Sequence, residues 1–193
     1  MGRTVVVIDD RSEQRLILSK FLKISGHKVI GEGENGNEAI ALAKKLKPDI
    51  MIMDVKMPEM DGIEAAKKIS SVSPLPIVLF TAKSDQRTID RAKEAGIMAY
   101  LVKPVEEKEI NPTIELAISR FQEFQALRQE NLNLKETLEV RKIVEKAKGI
   151  LMELDHISEK EAYRKIQKIS MDKRISLKKV AAAIIMAHEV RDN

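Results

Sequence analysis

Ile50-Met51-Ile52-Met53-Asp54-Val55-Lys56-Met57-Pro58-Glu59-Met60-Asp61-Gly62 decides the fold of this chain. Four apolar side chains in succession end in a carboxylate. Pro58 and Gly62 then forbid continuation of a strand, and a helical pattern opens at Ile63. A short, unbroken apolar run of this kind fits a strand buried on both faces. Asp54 stands at its C-terminal end, the edge at which open α/β sheets bind ligands.

Working outward, strand-like and helix-like patterns alternate five times between Thr4 and Val102. Thr4–Ile8 predicts a strand ending in Asp9-Asp10, followed by a helix whose buried stripe is Leu16, Leu18, Phe21 and Leu22 and whose stop is Gly26. Residues 28–31 predict a weaker strand and residues 33–36 a turn. A helix over 38–47 stops at Pro48, and another runs from Ile63 to about Ser71. Ile77–Thr81 reads as the fourth strand, residues 86–95 as a polar helix ended by Gly96, and Ala99–Val102 as the fifth strand, ended by Lys103-Pro104. Such alternation means right-handed βαβ units and a parallel sheet. The short connections favour a doubly wound sheet over a barrel, which needs about 250 residues.

The 193 residues, 44% hydrophobic and 33% charged, are globular in composition and long enough to bury a real core. The absence of cysteine excludes disulfides, thiolate metal sites and a cysteine nucleophile, and fits a reducing, cytoplasmic setting. No apolar run approaches the roughly 18 residues of a membrane helix, so a soluble protein is expected. The net charge of +4 is unevenly placed: residues 141–193 carry 13 Lys and Arg against 8 Asp and Glu, while the rest carries 21 against 22. A basic end on a near-neutral body points to an anionic partner for that end alone.

Thr113–Val140 contains no Gly or Pro and predicts one long helix. Leu127, Asn131, Leu134 and Leu138 fit the d-a-d-a seam of a two-stranded coiled coil linking two copies of the chain, with packing on its own domain as the plainer alternative. The last segment predicts three helices. Val144, Ala147, Ile150, Leu151 and Leu154 face inward on the first. Ser158 and Glu161 form a capping box opening the second, with Ala162, Ile166 and Ile169 inward, and Ser176 caps the third, with Leu177, Val180, Ala181, Ile184 and Ile185 available to a core.

The strand ends gather Asp9 and Asp10, Asp54, Thr81 and Lys103. Neighbouring carboxylates repel and call for a cation, and all-oxygen ligation favours Mg²⁺. Asp54 is then the nucleophile toward phosphorus, Lys103 a point charge for phosphoryl oxygens and Thr81 a hydroxyl donor. No glycine-rich phosphate loop is present, so the phosphodonor comes from elsewhere. Asp61, by contrast, reads as an ordinary cap.

Asp9-Asp10, the run Asp54–Gly62, Thr81-Ala82 and Lys103-Pro104 resemble the receiver domain of bacterial two-component response regulators over Arg3 to about Asn111. The resemblance implies a flavodoxin-like five-stranded sheet of order 2-1-3-4-5. It implies Mg²⁺ held by Asp9 or Asp10, Asp54 and the backbone carbonyl of Lys56, and a sensor histidine kinase as phosphodonor. It also implies Tyr100 as a switch residue following the Thr81 hydroxyl, and a cis Lys103-Pro104 peptide. Arg11 departs from the pattern, which often has an acidic residue after the Asp pair. A phosphatase of the haloacid-dehalogenase type also forms an aspartyl phosphate, but it wants two aspartates two residues apart after the first strand; here Asp9 and Asp10 are adjacent.

The stretch Arg141-Lys142-Ile143-Val144-Glu145-Lys146-Ala147-Lys148-Gly149-Ile150-Leu151-Met152 resembles the opening of an ANTAR domain, the RNA-binding output of AmiR- and NasR-type antiterminators; Ser158, Glu161-Ala162-Tyr163 and the stretch 181–185 extend it. With a receiver and a helical linker, the chain is similar to ethanolamine-utilisation antiterminators. Arg141, Lys142, Lys146, Lys148, Gly149, Lys173 and Arg174 form the expected RNA face. Tyr163 is a stacking residue or core, and His156 and His188 lack partners at metal spacing. The alternative output, a DNA-binding helix-turn-helix, wants a basic recognition helix, whereas residues 180–187 are almost wholly apolar. The expected organisation is a receiver over 1–112, a helical linker over 113–140 and an RNA-binding three-helix domain over 141–193. The expected behaviour is that of a homodimer, or of a monomer that pairs on phosphorylation, binding RNA stem-loops to cause antitermination.

Overall fold

The computed structural model describes residues 2–82 and 86–190, with the backbone alone for residues 86, 87 and 89; the ends of the expected first and third segments, 1 and 191–193, lie outside the described residues. The chain forms two compact units, Met1–Gln125 and Ala126–Asn193.

In the first unit, β1 (Thr4–Ile8), α1 (Ser12–Ile24), β2 (Lys28–Gly33), α2 (Gly36–Leu46), β3 (Ile50–Asp54), α3 (Gly62–Val72), β4 (Ile77–Thr81), α4 (Gln86–Glu94) and β5 (Ala99–Val102) alternate as expected. All pairings are parallel and the strand order is β2-β1-β3-β4-β5. The period-2 alternation of a strand explains why β3 reads as continuously apolar. Ile50 and Ile52 pack with Val5, Val7, Leu18 and Leu22 on one face, whereas Met51 and Met53 pack with Val6, Ile8, Ala39, Ala43 and Ile69 on the other. Both faces are covered, so each large β3 side chain contributes roughly 1.5–3 kcal/mol of burial.

Local chemistry sets most boundaries. Asn35 caps α2 by accepting from the Glu38 amide at 3.0 Å, and Lys47 ends it in the left-handed region at φ 45°. The expected stripe of α1 is corrected at Leu16, which is 73% exposed: Leu18 and Leu22 face the sheet, and Leu16, two residues before Leu18, falls on the opposite side of the helix. His27, in the turn before β2, accepts from the Arg3 amide through Nδ1 at 3.2 Å and meets Asn111 Oδ1 through Nε2 at 2.6 Å.

The long helix differs in extent from its sequence expectation. It begins before Pro112 and runs without a break into the bundle as α5 (Glu107–Asp155). Ile110 and Ile114 flank the proline and are completely buried against the sheet, so packing outweighs the lost proline N–H. No helix end falls at Val140, and the expected linker and first bundle helix are one element. In the second unit, the C-terminal part of α5 packs with α6 (Glu159–Lys173) and α7 (Leu177–Glu189) around Val144, Ala147, Leu151, Ala162, Ile166, Val180 and Ala181. Leu154, expected inside, is 47% exposed in the last turn of α5. The capping box of Ser158 and Glu161 and the Ser176 cap are both present. Among the described residues, no helix is long and apolar enough to cross a membrane.

Candidate phosphorylation site and basic bundle

The five strand-end groups come from different elements but meet at one edge of the sheet. Asp9 follows β1 and is completely buried, Asp10 beside it is exposed, and Asp54 closes β3 with its side chain 10% exposed. Their carboxylate oxygens lie within 4.8 Å of one another. Lys103, directly after β5, donates from Nζ to Asp9 Oδ2 at 2.6 Å and lies 3.3 Å from Asp54 Oδ1. Its ammonium also sits 4.5 Å from the centre of the Phe80 ring, which forms an apolar floor beneath it. Burial pushes the Asp54 carboxyl above the usual carboxylate range; the Lys103 charge pulls it back and the Asp9 charge pushes it up again. A cation that coordinates these oxygens therefore relieves both repulsion and desolvation.

The loop after β3 shapes the rim. Val55 N–H donates to Asp54 Oδ1 at 2.8 Å, fixing the carboxylate. Met60 N–H reaches back to Pro58 O at 2.7 Å across Glu59, whose φ of 64° is held with Asn37 donating to its side chain at 3.0 Å. Gly62 is required: a Cβ there would lie 2.0 Å from the Asp54 carbonyl oxygen. Lys56 is in this loop with its side chain exposed. Asp61 caps α3 through the Glu64 amide at 2.8 Å, as read from sequence, and also pairs with Arg91 of α4.

Thr81 ends β4 and is buried; its carbonyl accepts from the Lys103 amide at 2.8 Å. The Lys103–Pro104 peptide is cis. Tyr100 of β5 is 54% exposed and, with Thr81, lines a hollow of about 440 Å³ bounded by Thr88 and Ala92 of α4 and by Thr113 and Leu116 of α5.

Two contacts had no counterpart in the sequence reading. Arg15 of α1, only 12% exposed in its side chain, donates to the Asp9 carbonyl at 2.8 Å while pairing with Glu34 at 2.8 Å. The Asp61–Arg91 pair ties the loop below the acidic cluster to α4. The Asp61–Arg91 pair joins elements far apart in the chain, whereas Arg15 folds back onto the end of the preceding strand; a single arginine in an amphipathic helix carries no local signal of its partner.

In the second unit, Arg141, Lys142, Lys146 and Gly149 lie exposed on α5; Lys173 ends α6 and Arg174 caps it at φ 52°. Lys142 pairs with Glu139 at 3.2 Å and Lys146 with Glu189 at 2.9 Å, both at the surface. A Cβ at Gly149 would meet no atom within 4 Å. Lys148 does not belong to this open face. Its side chain is 8% exposed, held between Glu145 at 2.8 Å and Glu159 at 2.7 Å, with Nζ 6.0 Å from the Tyr163 ring centre. The two carboxylates raise its pKa further above the ordinary lysine value. Its charge and its place in the basic run suggest the positive surface; the glutamate of α6 draws it inward instead.

Comparison with known proteins agrees with both units. The model of the response regulator receiver domain matches residues 5–115, and that of the ANTAR domain matches residues 132–185. The chain is 45% identical over 183 residues to the transcriptional regulatory protein PdtaR of Mycobacterium tuberculosis, covering 95% of this chain and 89% of that protein. It is 38% identical to the chemotaxis protein CheY of Thermotoga maritima over 111 residues, 57% of this chain and 92% of that protein. Among solved structures, the signal receiver domain of a modulated diguanylate cyclase from Desulfovibrio desulfuricans G20 matches with a TM-score of 0.59 at 32% identity, covering 63% of this chain and 98% of that one. An acidic pocket closed by a lysine at the end of a 2-1-3-4-5 sheet, followed by a small helical bundle, thus has matching relatives over nearly its whole length: the chain belongs to the response regulators that join a receiver domain to an ANTAR domain.

Proposed function

We propose that the protein is a cytoplasmic, phosphorylation-dependent regulator that binds RNA stem-loops in a transcript leader and thereby causes transcription antitermination. The observation that carries this reading is the buried Asp54 carboxylate set between Lys103 and two further aspartates, in a chain whose second unit is basic and ANTAR-like. Asp9, Asp10 and Asp54, with the Lys56 carbonyl, would hold Mg²⁺, a hard cation suited to oxygen donors. Bound there, it would offset negative charge on a transferring phosphoryl group. Asp54 accepts that group from a phosphohistidine of a sensor kinase: a carboxylate oxygen forms the new P–O bond as the P–N bond breaks. Lys103 stabilises the phosphoryl oxygens. Thr81 reports the new charge, and Tyr100 follows it into the hollow beside α4 and β5.

The reading divides the chain into a receiver over 1–112, a helical linker over 113–140 and an RNA-binding domain over 141–193. Its RNA face consists of Arg141, Lys142, Lys146, Gly149, Lys173 and Arg174. The molecule acts as a homodimer paired through α5, so that two bundles engage two hairpins and gain from effective concentration. The test is an electrophoretic shift of tandem RNA hairpins from the neighbouring operon leader, with and without beryllofluoride, alongside sedimentation. Tighter binding and a shift to dimer are expected. Identical binding with and without the phosphoryl mimic, or preference for duplex DNA over hairpins, would overturn it.

A further inference from the structure

Asp9 and Asp10 are held in different ways. The Asp9 N–H donates to the Gly33 carbonyl at 3.1 Å, its Oδ1 accepts from the Arg11 amide at 3.0 Å, and its Oδ2 accepts from Lys103. Its carbonyl accepts from Arg15 Nη1 at 2.8 Å. Asp10 is exposed, and its carboxylate enters no hydrogen bond or ion pair among the described residues. One of its oxygens still lies within 4.8 Å of oxygens of Asp9 and Asp54. A carboxylate with nothing to hold its side chain is placed by its backbone. The Asp9 carbonyl and the Asp10 N and Cα share one peptide plane, so the bond from Arg15 fixes where Asp10 starts.

Arg15 is itself anchored. Its largely buried guanidinium pairs through Nη2 with Glu34 at 2.8 Å, and its Nε lies 3.6 Å from Glu32. Ser19, one turn further along α1, donates to Glu32 at 2.8 Å and steadies that carboxylate. A guanidinium offers its donors in a rigid planar fork, so fixing two of its nitrogens on carboxylates aims the third. Here the third meets the Asp9 carbonyl. The two glutamates already satisfy the charge of the arginine, and the bond to the peptide is additional to them.

We infer that Arg15 is a positioning residue for the divalent cation: by fixing the Asp9–Asp10 peptide plane it presents the Asp10 carboxylate to the ion. This rests on the phosphorylation reading above and adds a residue that touches neither the metal nor the phosphoryl group. Charge and geometry give opposite signs for its removal. Taking a positive charge away from an acidic pocket, by itself, tightens the binding of a cation. Releasing the peptide lets Asp10 swing away and weakens it. Groups that hold a metal ligand in place commonly change affinity by about tenfold to a hundredfold, which outweighs the loss of a charge already neutralised by two glutamates.

The test uses the full-length protein and Mg²⁺ alone. In calorimetric titration, Arg15→Met, which keeps the aliphatic stem, should bind Mg²⁺ about tenfold more weakly than the wild type. Labelling by acetyl phosphate should need about tenfold more Mg²⁺ for its half-maximal rate and return to nearly the wild-type rate at saturation. Unchanged or tighter Mg²⁺ binding, or labelling that stays slow at saturating Mg²⁺, would overturn the inference. Because Arg15 acts through Asp10, the same substitution made on top of Asp10→Asn should cost no more than about twofold further. Fully multiplicative losses would overturn that route. Asp49→Ala, at the other end of β3, controls for stability: it should lower Tm and leave Mg²⁺ affinity unchanged. A matching fall in affinity there would assign the effect to a loosened fold and overturn the inference. Absence of Mg²⁺-dependent labelling in the wild type would overturn the phosphorylation reading itself, and this inference with it.

Discussion

Lys103 Nζ donates to Asp9 Oδ2 at 2.6 Å, so the ammonium already occupies part of the space between the two buried carboxylates. A lysine that neutralises the site at rest competes with an incoming cation, and in the proposed reaction it would also supply charge to the phosphoryl group. Removing it should therefore separate two quantities. Lys103→Ala is expected to bind Mg²⁺ more tightly in calorimetric titration, while labelling of Asp54 by acetyl phosphate slows about a hundredfold. Chelation of Mg²⁺ by EDTA should abolish labelling in both proteins. Weaker Mg²⁺ binding in the variant would contradict this role.

Gly62 and Gly149 should respond to alanine with opposite signs. At Gly62 the added Cβ would stand 2.0 Å from a backbone oxygen of Asp54, which cannot move aside without disturbing the candidate phosphorylation site. A loss of about 2–3 kcal/mol in urea denaturation and impaired labelling are expected. At Gly149 a Cβ meets nothing within 4 Å, so alanine should stabilise the bundle by about 0.5–1 kcal/mol through helix propensity. The same substitution should weaken hairpin binding if RNA approaches the bare backbone there.

Asp49, at the entrance to β3, accepts from both the amide and the hydroxyl of Thr4 at 2.7 Å. The backbone bond, then the hydroxyl bond, hold its carboxyl below the usual range, against a smaller opposing effect of burial. A depressed folded-state pKa contributes stability that is present above the unfolded pKa and lost as pH falls through the folded one. Because the site is exposed, Asp49→Ala should cost only about 1 kcal/mol at neutral pH. The gap between wild type and variant should close progressively below about pH 4, the ordinary aspartate value. A gap that does not depend on pH would assign the effect to packing instead.

Lys148 and Lys146 sit two residues apart but should fail in different assays. Lys148→Ala leaves Glu145 and Glu159 facing each other and should lower Tm with little change in the salt dependence of RNA binding. Lys146→Ala should leave Tm nearly unchanged and reduce the slope of log affinity against log salt by about 0.7–0.9.

The strands were legible because each carries its own evidence: β1, β3, β4 and β5 end where an aspartate, threonine or lysine follows an apolar run. The acidic pocket was legible for the same reason, since its members sit at those ends. Leu16 is the exception on α1, apolar but two residues from Leu18 and therefore off the helical face that Leu18 and Leu22 share. Lys148 was misplaced because its burial depends on Glu159, eleven residues away across a turn. Neither Arg15 nor Arg91 shows its contact in the sequence: the turn between β1 and α1 folds Arg15 back onto the Asp9 carbonyl, and only the assembled sheet brings Arg91 to Asp61. The start of α5 was set too late, since Pro112 is a reliable breaker unless flanking isoleucines are fully buried.

His27 bears on motion within the first unit. Because Nδ1 accepts from the Arg3 amide, the imidazole proton resides on Nε2 and is given to Asn111, in the second turn of α5. The base of that helix is thereby pinned to the edge of the sheet remote from the acidic pocket. A rearrangement of α4 and β5 that leaves this bridge intact would keep the α5 base stationary, and an axial slide of that base would have to rupture the bridge of the buried His27 first.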